Sequence, residues 1–133
     1  VFIFLDCSEI YYRAIGKKSV PDKRLGKFVQ IRNNDTEYLV LSPKGQSVYH
    51  ANIVERFFTK RKIGGDYNRK GDYYEISEDG WEVTGGGIWA INESDRLLHL
   101  SGSSQAYGRY DRRGLREKIE ALQQMAGFRI LID

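Results

Sequence analysis

The sequence predicts an α/β protein of the α+β type: a single mixed β-sheet with two main helices packed on it. Three observations lead there. Extended runs follow one another at hairpin spacing, KFVQIRN before TEYLVLS and GIWAIN before RLLHLSG. Two other segments carry their apolar residues at helical spacing, around 54–58 and 115–125. The chain has 133 residues, with nine Tyr, six Phe and two Trp, which suits one domain with one core.

The elements follow in order. Residues 1–26 differ from the rest. VFIFLDCS is apolar but short, is interrupted by Asp6, and lacks the order of a secretory signal. GKKSVPDKRLG, at 16–26, is linker-like. This segment reads as an N-terminal extension or an expression-derived leader, and the domain proper as 27–133. In KFVQIRN, Phe28, Gln30 and Arg32 alternate with Val29 and Ile31, as in a strand. NND supplies a turn and TEYLVLS a second strand. After SPKGQS a helix starts near Ala51, with Val54, Phe57 and Phe58 on one stripe and Gly64–Gly65 as its stop. DYYEIS and WEVT read as short strands broken by EDG, and GIWAIN and RLLHLSG as strands joined at ESD. A second helix runs from Asp111, its N-cap, to Met125, with Leu115, Ile119, Leu122 and Met125 as its stripe and Gly127 after it. FRILID closes the chain as a strand. The order reads β-β-α-β-β-β-α-β, which favours one mixed sheet.

Charge and composition narrow the function. The net charge is +3, of which residues 1–26 carry +2 and the body only +1. A nucleic-acid partner wants a clustered basic face, so none is expected. KRK (60–62), RK (69–70) and RYDRR (109–113) read as solvated charge. No apolar run reaches the length of a membrane span, so no membrane association is expected. A single cysteine, Cys7, excludes an internal disulfide and suits a reducing compartment, so the expectation is a soluble cytoplasmic protein. Two widely separated histidines and one cysteine make no ligand set, so neither metal nor cofactor is expected.

Few residues remain for chemistry. His50 precedes a helix start, where free backbone N–H groups disfavour imidazolium and attract anions. It either caps or packs that start, or serves as a neutral base or nucleophile. His99, among leucines in RLLHLSG, reads as a strand residue. TGGGIW brings backbone close to a ligand or marks a bulge. SGSSQAYG is a surface loop or an anion nest, without the spacing of a nucleotide P-loop.

Taken together, GKFVQIR, VYHANI, TGGGIW and LSGSSQAYG resemble the phosphohistidine phosphatase (Janus/Ocnus) family over residues 26–133, in order and at similar spacing. The resemblance implies a metal-free protein phosphatase, a hydrolase that removes phosphate from phosphohistidine in a protein or peptide partner. It implies that His50 is catalytic, that Lys27 binds phosphate, and that the backbone N–H groups of Ser104, Gln105 and Ala106 cradle it. It leaves His99 without a catalytic role. Two positions depart from the family pattern: Ser42 and Ile88 stand where the family carries arginine. Lys44 and Arg109 are candidates to replace that charge, and Gly87 is a further auxiliary candidate. The alternative is a non-catalytic phosphate- or phosphopeptide-binding module of the same fold.

Overall fold

The computed structural model describes residues 1–133. In chain order the elements are β1 (Phe2–Asp6), α1 (Ser8–Ala14), β2 (Lys23–Asn33), β3 (Thr36–Pro43), α2 (His50–Lys60), β4 (Gly65–Tyr67), β5 (Tyr74–Ile76), β6 (Trp81–Asn92), β7 (Leu97–Ser101), α3 (Leu115–Glu120) and β8 (Arg129–Ile132). Six strands form one mixed sheet in the order β1-β3-β2-β6-β7-β8, and β4 and β5 pair separately as a small hairpin. The four inner strands are antiparallel, whereas β1 and β8 run parallel to their neighbours β3 and β7. No helix is long and apolar enough to cross a membrane.

Strand alternation sorts the core into two clusters on opposite faces. Val29, Ile31 and Val40 pack with Ala51, Val54, Phe57 and Phe58 of α2. Phe28, Leu39, Leu41, Trp89, Ile91, Leu98 and Leu100 pack with Leu115 and Ile119 of α3 and with Met125. The expected stripe of α2 is therefore its buried face. Gln30 is also fully buried, among polar partners: it donates to Glu37 and to the Asp111 carbonyl, and accepts from Thr84 and the Asp111 N–H.

The structure corrects several expectations. Residues 1–26 are not a detached segment. β1 pairs along β3 from Phe2↔Glu37 to Asp6↔Leu41, and Lys23–Gly26 begins β2. The Arg24 guanidinium, 8% exposed, bonds Asp6 and Ser8 and lies near Glu93, tying the segment to the β6–β7 turn. Charge and a short apolar run concealed a parallel edge strand, whose partner lies 35 residues away. Asp111 is not an N-cap. Its carboxylate is engaged by Arg113 and Arg32, and Gly114, with φ +69°, makes the left-handed step before Leu115. α3 stops at Glu120, and a 3-10 turn at Gln123–Met125 carries the stripe onward. α2 ends at Lys60, where Lys62 turns left-handed (φ +60°), before the two glycines are reached. WEVT and GIWAIN form one continuous strand, with a bulge opposite Gln30/Ile31.

Candidate functional site

Four segments far apart in sequence line one cleft of about 560 Å³: Lys27 of β2, Tyr49 and His50 at the start of α2, Asn68, Asp72 and Tyr73 of the β4–β5 hairpin, and Ser103–Ala106 after β7. Lys27, His50, Ser104, Gln105 and Ala106, all expected from the sequence, meet there. The hairpin residues and Tyr49 were not expected, because no local pattern reveals that a hairpin folds back over the cleft.

His50 is the first residue of α2, after an extended Tyr49 (φ −120°, ψ 156°). Asn52 closes the helix start by accepting hydrogen bonds from the N–H groups of Val48 (3.1 Å) and Tyr49 (2.8 Å). The His50 Nε2 lies 2.9 Å from the Gly87 carbonyl. A carbonyl can only accept, so Nε2 carries the proton, and the lone pair of the neutral ring is on Nδ1. Nδ1 makes no hydrogen bond within the chain. Burial pushes the His50 pKa below its ordinary value; the Gly87 bond opposes this and the Lys27 ammonium adds to it. His50 is thus neutral at pH 7, as expected, but the dominant cause is desolvation. Gly87, an auxiliary candidate in the sequence, acts through its carbonyl, which sets the His50 tautomer.

The triple glycine is a matter of space. A Cβ on Gly86 would stand 2.6 Å from the Phe28 carbonyl oxygen and 2.9 Å from the His50 Cδ2. Only glycine lets β6 lie against β2 while His50 rests on it. The bulge reading of TGGGIW holds, and the glycines admit a close approach of β2 and of the His50 ring.

Lys27 is half-buried and forms no ion pair. Its backbone is held from below by Trp89, 1% exposed, whose indole N–H reaches the carbonyls of Lys27 (3.0 Å) and Ser42 (3.1 Å). The loop after β7 is pinched by a pair of backbone hydrogen bonds between Ser104 and Gly108, and the Ser104 hydroxyl accepts from the Tyr107 N–H. This corrects one detail: the Ser104 N–H is already used. The N–H groups of Gln105 and Ala106 are not, and so remain available to an anion.

The remaining candidates lie elsewhere. Lys44 lines a separate cleft with Leu25 and His99, and Arg109 bridges Gly86 through its backbone. Neither borders the His50 cleft. Another cation stands near Ser42: the Arg56 guanidinium bonds the hydroxyls of Ser42 (3.2 Å) and Ser47 (2.8 Å), without a carboxylate partner. Ser42 is the cross-strand partner of Lys27. Nothing linear in the sequence joins Arg56 to that position. His99 sits on the open sheet face, 2.6 Å from Asp133.

The cleft thus combines an unpaired ammonium, two free N–H groups and a neutral imidazole with an open nitrogen. Such a set can bind an anion and take up a proton beside it. No protein-family model matches the chain, and no curated protein matches it either.

Proposed function

We propose that the protein is a metal-independent protein phosphohistidine phosphatase acting on a phosphohistidine-containing protein or peptide in the cytoplasm. The observation that carries this reading is the meeting of Lys27, the free N–H groups of Gln105 and Ala106, and the bare Nδ1 of neutral His50 in one cleft.

Phosphoryl transfer from histidine asks mainly for orientation and for stabilisation of the equatorial phosphoryl oxygens. Lys27 and the 105–106 backbone hold those oxygens. In the general-base route, His50 Nδ1 takes a proton from the attacking water. The water oxygen bonds to phosphorus, the P–N bond breaks with its electron pair going to the imidazole nitrogen, and the proton held on His50 passes to that nitrogen. In the covalent route, Nδ1 itself attacks phosphorus and water releases the phosphate afterwards. The fixed Nε2–H tautomer serves both routes, since each needs the lone pair on Nδ1.

The test is phosphate release from a phosphohistidine peptide in excess EDTA, comparing the native protein with His50→Ala. Turnover should survive chelation and fall at least about 10²–10⁴-fold in the variant. If both proteins bind the phosphopeptide and neither releases phosphate, the protein is a phospho-ligand binder. That reading is favoured by Ile88, 49% exposed and paired across the strands with Lys27, where an arginine would have added charge.

A further inference from the structure

The β4–β5 hairpin is fastened to both halves of the phosphate site. Tyr67 accepts from the Asn52 amide (3.1 Å) and donates to Glu55 (3.1 Å), tying β4 to the first turns of the helix that carries His50. On its other side, the Tyr107 hydroxyl accepts from the Tyr74 N–H (2.9 Å) and donates to the Tyr74 carbonyl (2.8 Å). Tyr107 follows directly on Gln105 and Ala106 in the cradle loop, and its ring stacks on Tyr73 at 4.9 Å. Burial pushes the Tyr107 phenol up to about 12, so it stays a hydrogen-bonding clamp at neutral pH.

The hairpin tip is ordered within itself as well. The Asn68 side chain accepts from the N–H groups of Asp72 and Tyr73 and donates to Asp72 Oδ1 (2.8 Å). Asp72 Oδ2 is left without a partner, and Asp72 forms no ion pair although Arg69 and Lys70 lie beside it in sequence. This carboxylate lines the cleft, together with Tyr73 and Tyr49, which are 37% and 47% exposed. A carboxylate is a poor neighbour for a phosphate. It suits the other end of a substrate whose leaving group, an imidazole protonated on the nitrogen away from phosphorus, bears an N–H and a positive charge together.

We propose that the hairpin tip is the leaving-group side of the cleft: Asp72 accepts the N–H of a phosphorylated imidazole protonated on its free ring nitrogen, and Tyr73 and Tyr49 offer their faces to that ring. Resting on the phosphohistidine reading above, this makes the hairpin the element that selects phosphoramidates of imidazole over phosphate esters of serine or tyrosine. Tyrosine phosphate supplies a ring without an N–H, and serine phosphate supplies neither.

The test uses His50→Ala, which binds without turning over, and three peptides of one sequence carrying phosphohistidine, phosphotyrosine or phosphoserine. Dissociation constants are measured alongside that of inorganic phosphate. The phosphohistidine peptide should bind about 10–100-fold tighter than the phosphoserine peptide, the range of one charge-assisted hydrogen bond. Adding Asp72→Asn, which keeps an acceptor for Asn68, should bring the peptides within about threefold of one another. Inorganic phosphate should bind equally well or tighter once the negative charge is gone. Tyr73→Leu should weaken the two aromatic peptides and spare phosphoserine. The proposal is overturned if Asp72→Asn leaves the preference intact, if it weakens inorganic phosphate as much as the peptides, or if phosphotyrosine binds as tightly as phosphohistidine. Failure of the parent to bind any of them, inorganic phosphate included, overturns the phosphate reading itself and this inference with it.

Discussion

Replacing Gly86 with alanine probes the fold and the site in one experiment. The added methyl would lie 2.6 Å from the Phe28 carbonyl oxygen, about 0.8 Å short of the ordinary contact limit of 3.4 Å, and 2.9 Å from His50 Cδ2. Gly86 cannot retreat freely, because its N–H donates to the Gly108 carbonyl and it is paired with Val29. Either β6 parts from β2, or the His50 ring leaves Gly87. Overpacking of this kind costs about 1–3 kcal/mol. For a chain of 133 residues that is a fall in Tm of roughly 3–15 °C. If the ring yields, a displacement of about 1 Å costs on the order of 10²-fold in turnover. Thermal or denaturant unfolding reads the first effect, and phosphate release reads the second. The ¹⁵N shifts of His50 report whether Nε2 still carries the proton. Gly64→Ala is the control: its Cβ would meet only Ser77 Oγ, at 3.6 Å, so its stability should move by less than about 0.5 kcal/mol. A Gly86→Ala protein with native Tm, native turnover and an unchanged His50 tautomer would refute the close packing of His50 on β6.

Four further outcomes are expected. The His50 imidazole should titrate below 6.5 by NMR. The unfolded chain binds this proton more readily than the fold, so His50 should erode stability as pH falls from 6.5 towards the lowered value, and His50→Gln should flatten that part of the profile. Lys27→Met should raise the His50 titration and weaken phosphate binding about 10–100-fold, seen by NMR and calorimetry on one sample. Gln30→Leu should cost about 2–4 kcal/mol in denaturant unfolding, since it strands buried partners on Glu37, Thr84 and Asp111. His99→Ala should leave turnover within about twofold of native, because His99 lies outside the cleft, an expectation tied to site geometry.

The parts of this protein legible in its sequence are those written in local period and local chemistry. Alternation in KFVQIRN and TEYLVLS marked a hairpin that the structure pairs residue by residue from Gly26↔Pro43 to Asn33↔Thr36. The stripe of Val54, Phe57 and Phe58 marked the buried face of α2. Short-range patterns of this kind depend only on the geometry of one strand or one helix, so they survive without knowledge of the rest. His50 and the 104–106 loop were legible as candidates from local chemistry and Lys27 from the family resemblance, though only the cleft shows that they meet.

What lay beyond the sequence depends on partners distant along the chain. The parallel pairing of β1 with β3 has no turn signal, because parallel neighbours are joined through long crossovers. Asp111 carries a capping residue's chemistry, but Arg32 and Arg113 claim its carboxylate in the folded protein. The Ser104 N–H has the sequence context of a cradle donor, but in the fold it is bonded to the Gly108 carbonyl. The Nε2–H tautomer of His50 follows from a carbonyl 37 residues away, and the place of Asp72 over the cleft from the bonds that join its hairpin to Glu55 of α2 and to Tyr107 of the loop after β7. Sequence alone determined the hairpin-forming strands and the buried stripe of α2, and it offered Lys27, His50 and the 104–106 loop as candidates. Tertiary structure decided which of their polar groups were left unpaired, because hydrogen bonds are allotted across the whole fold and only the unallotted ones can meet a ligand.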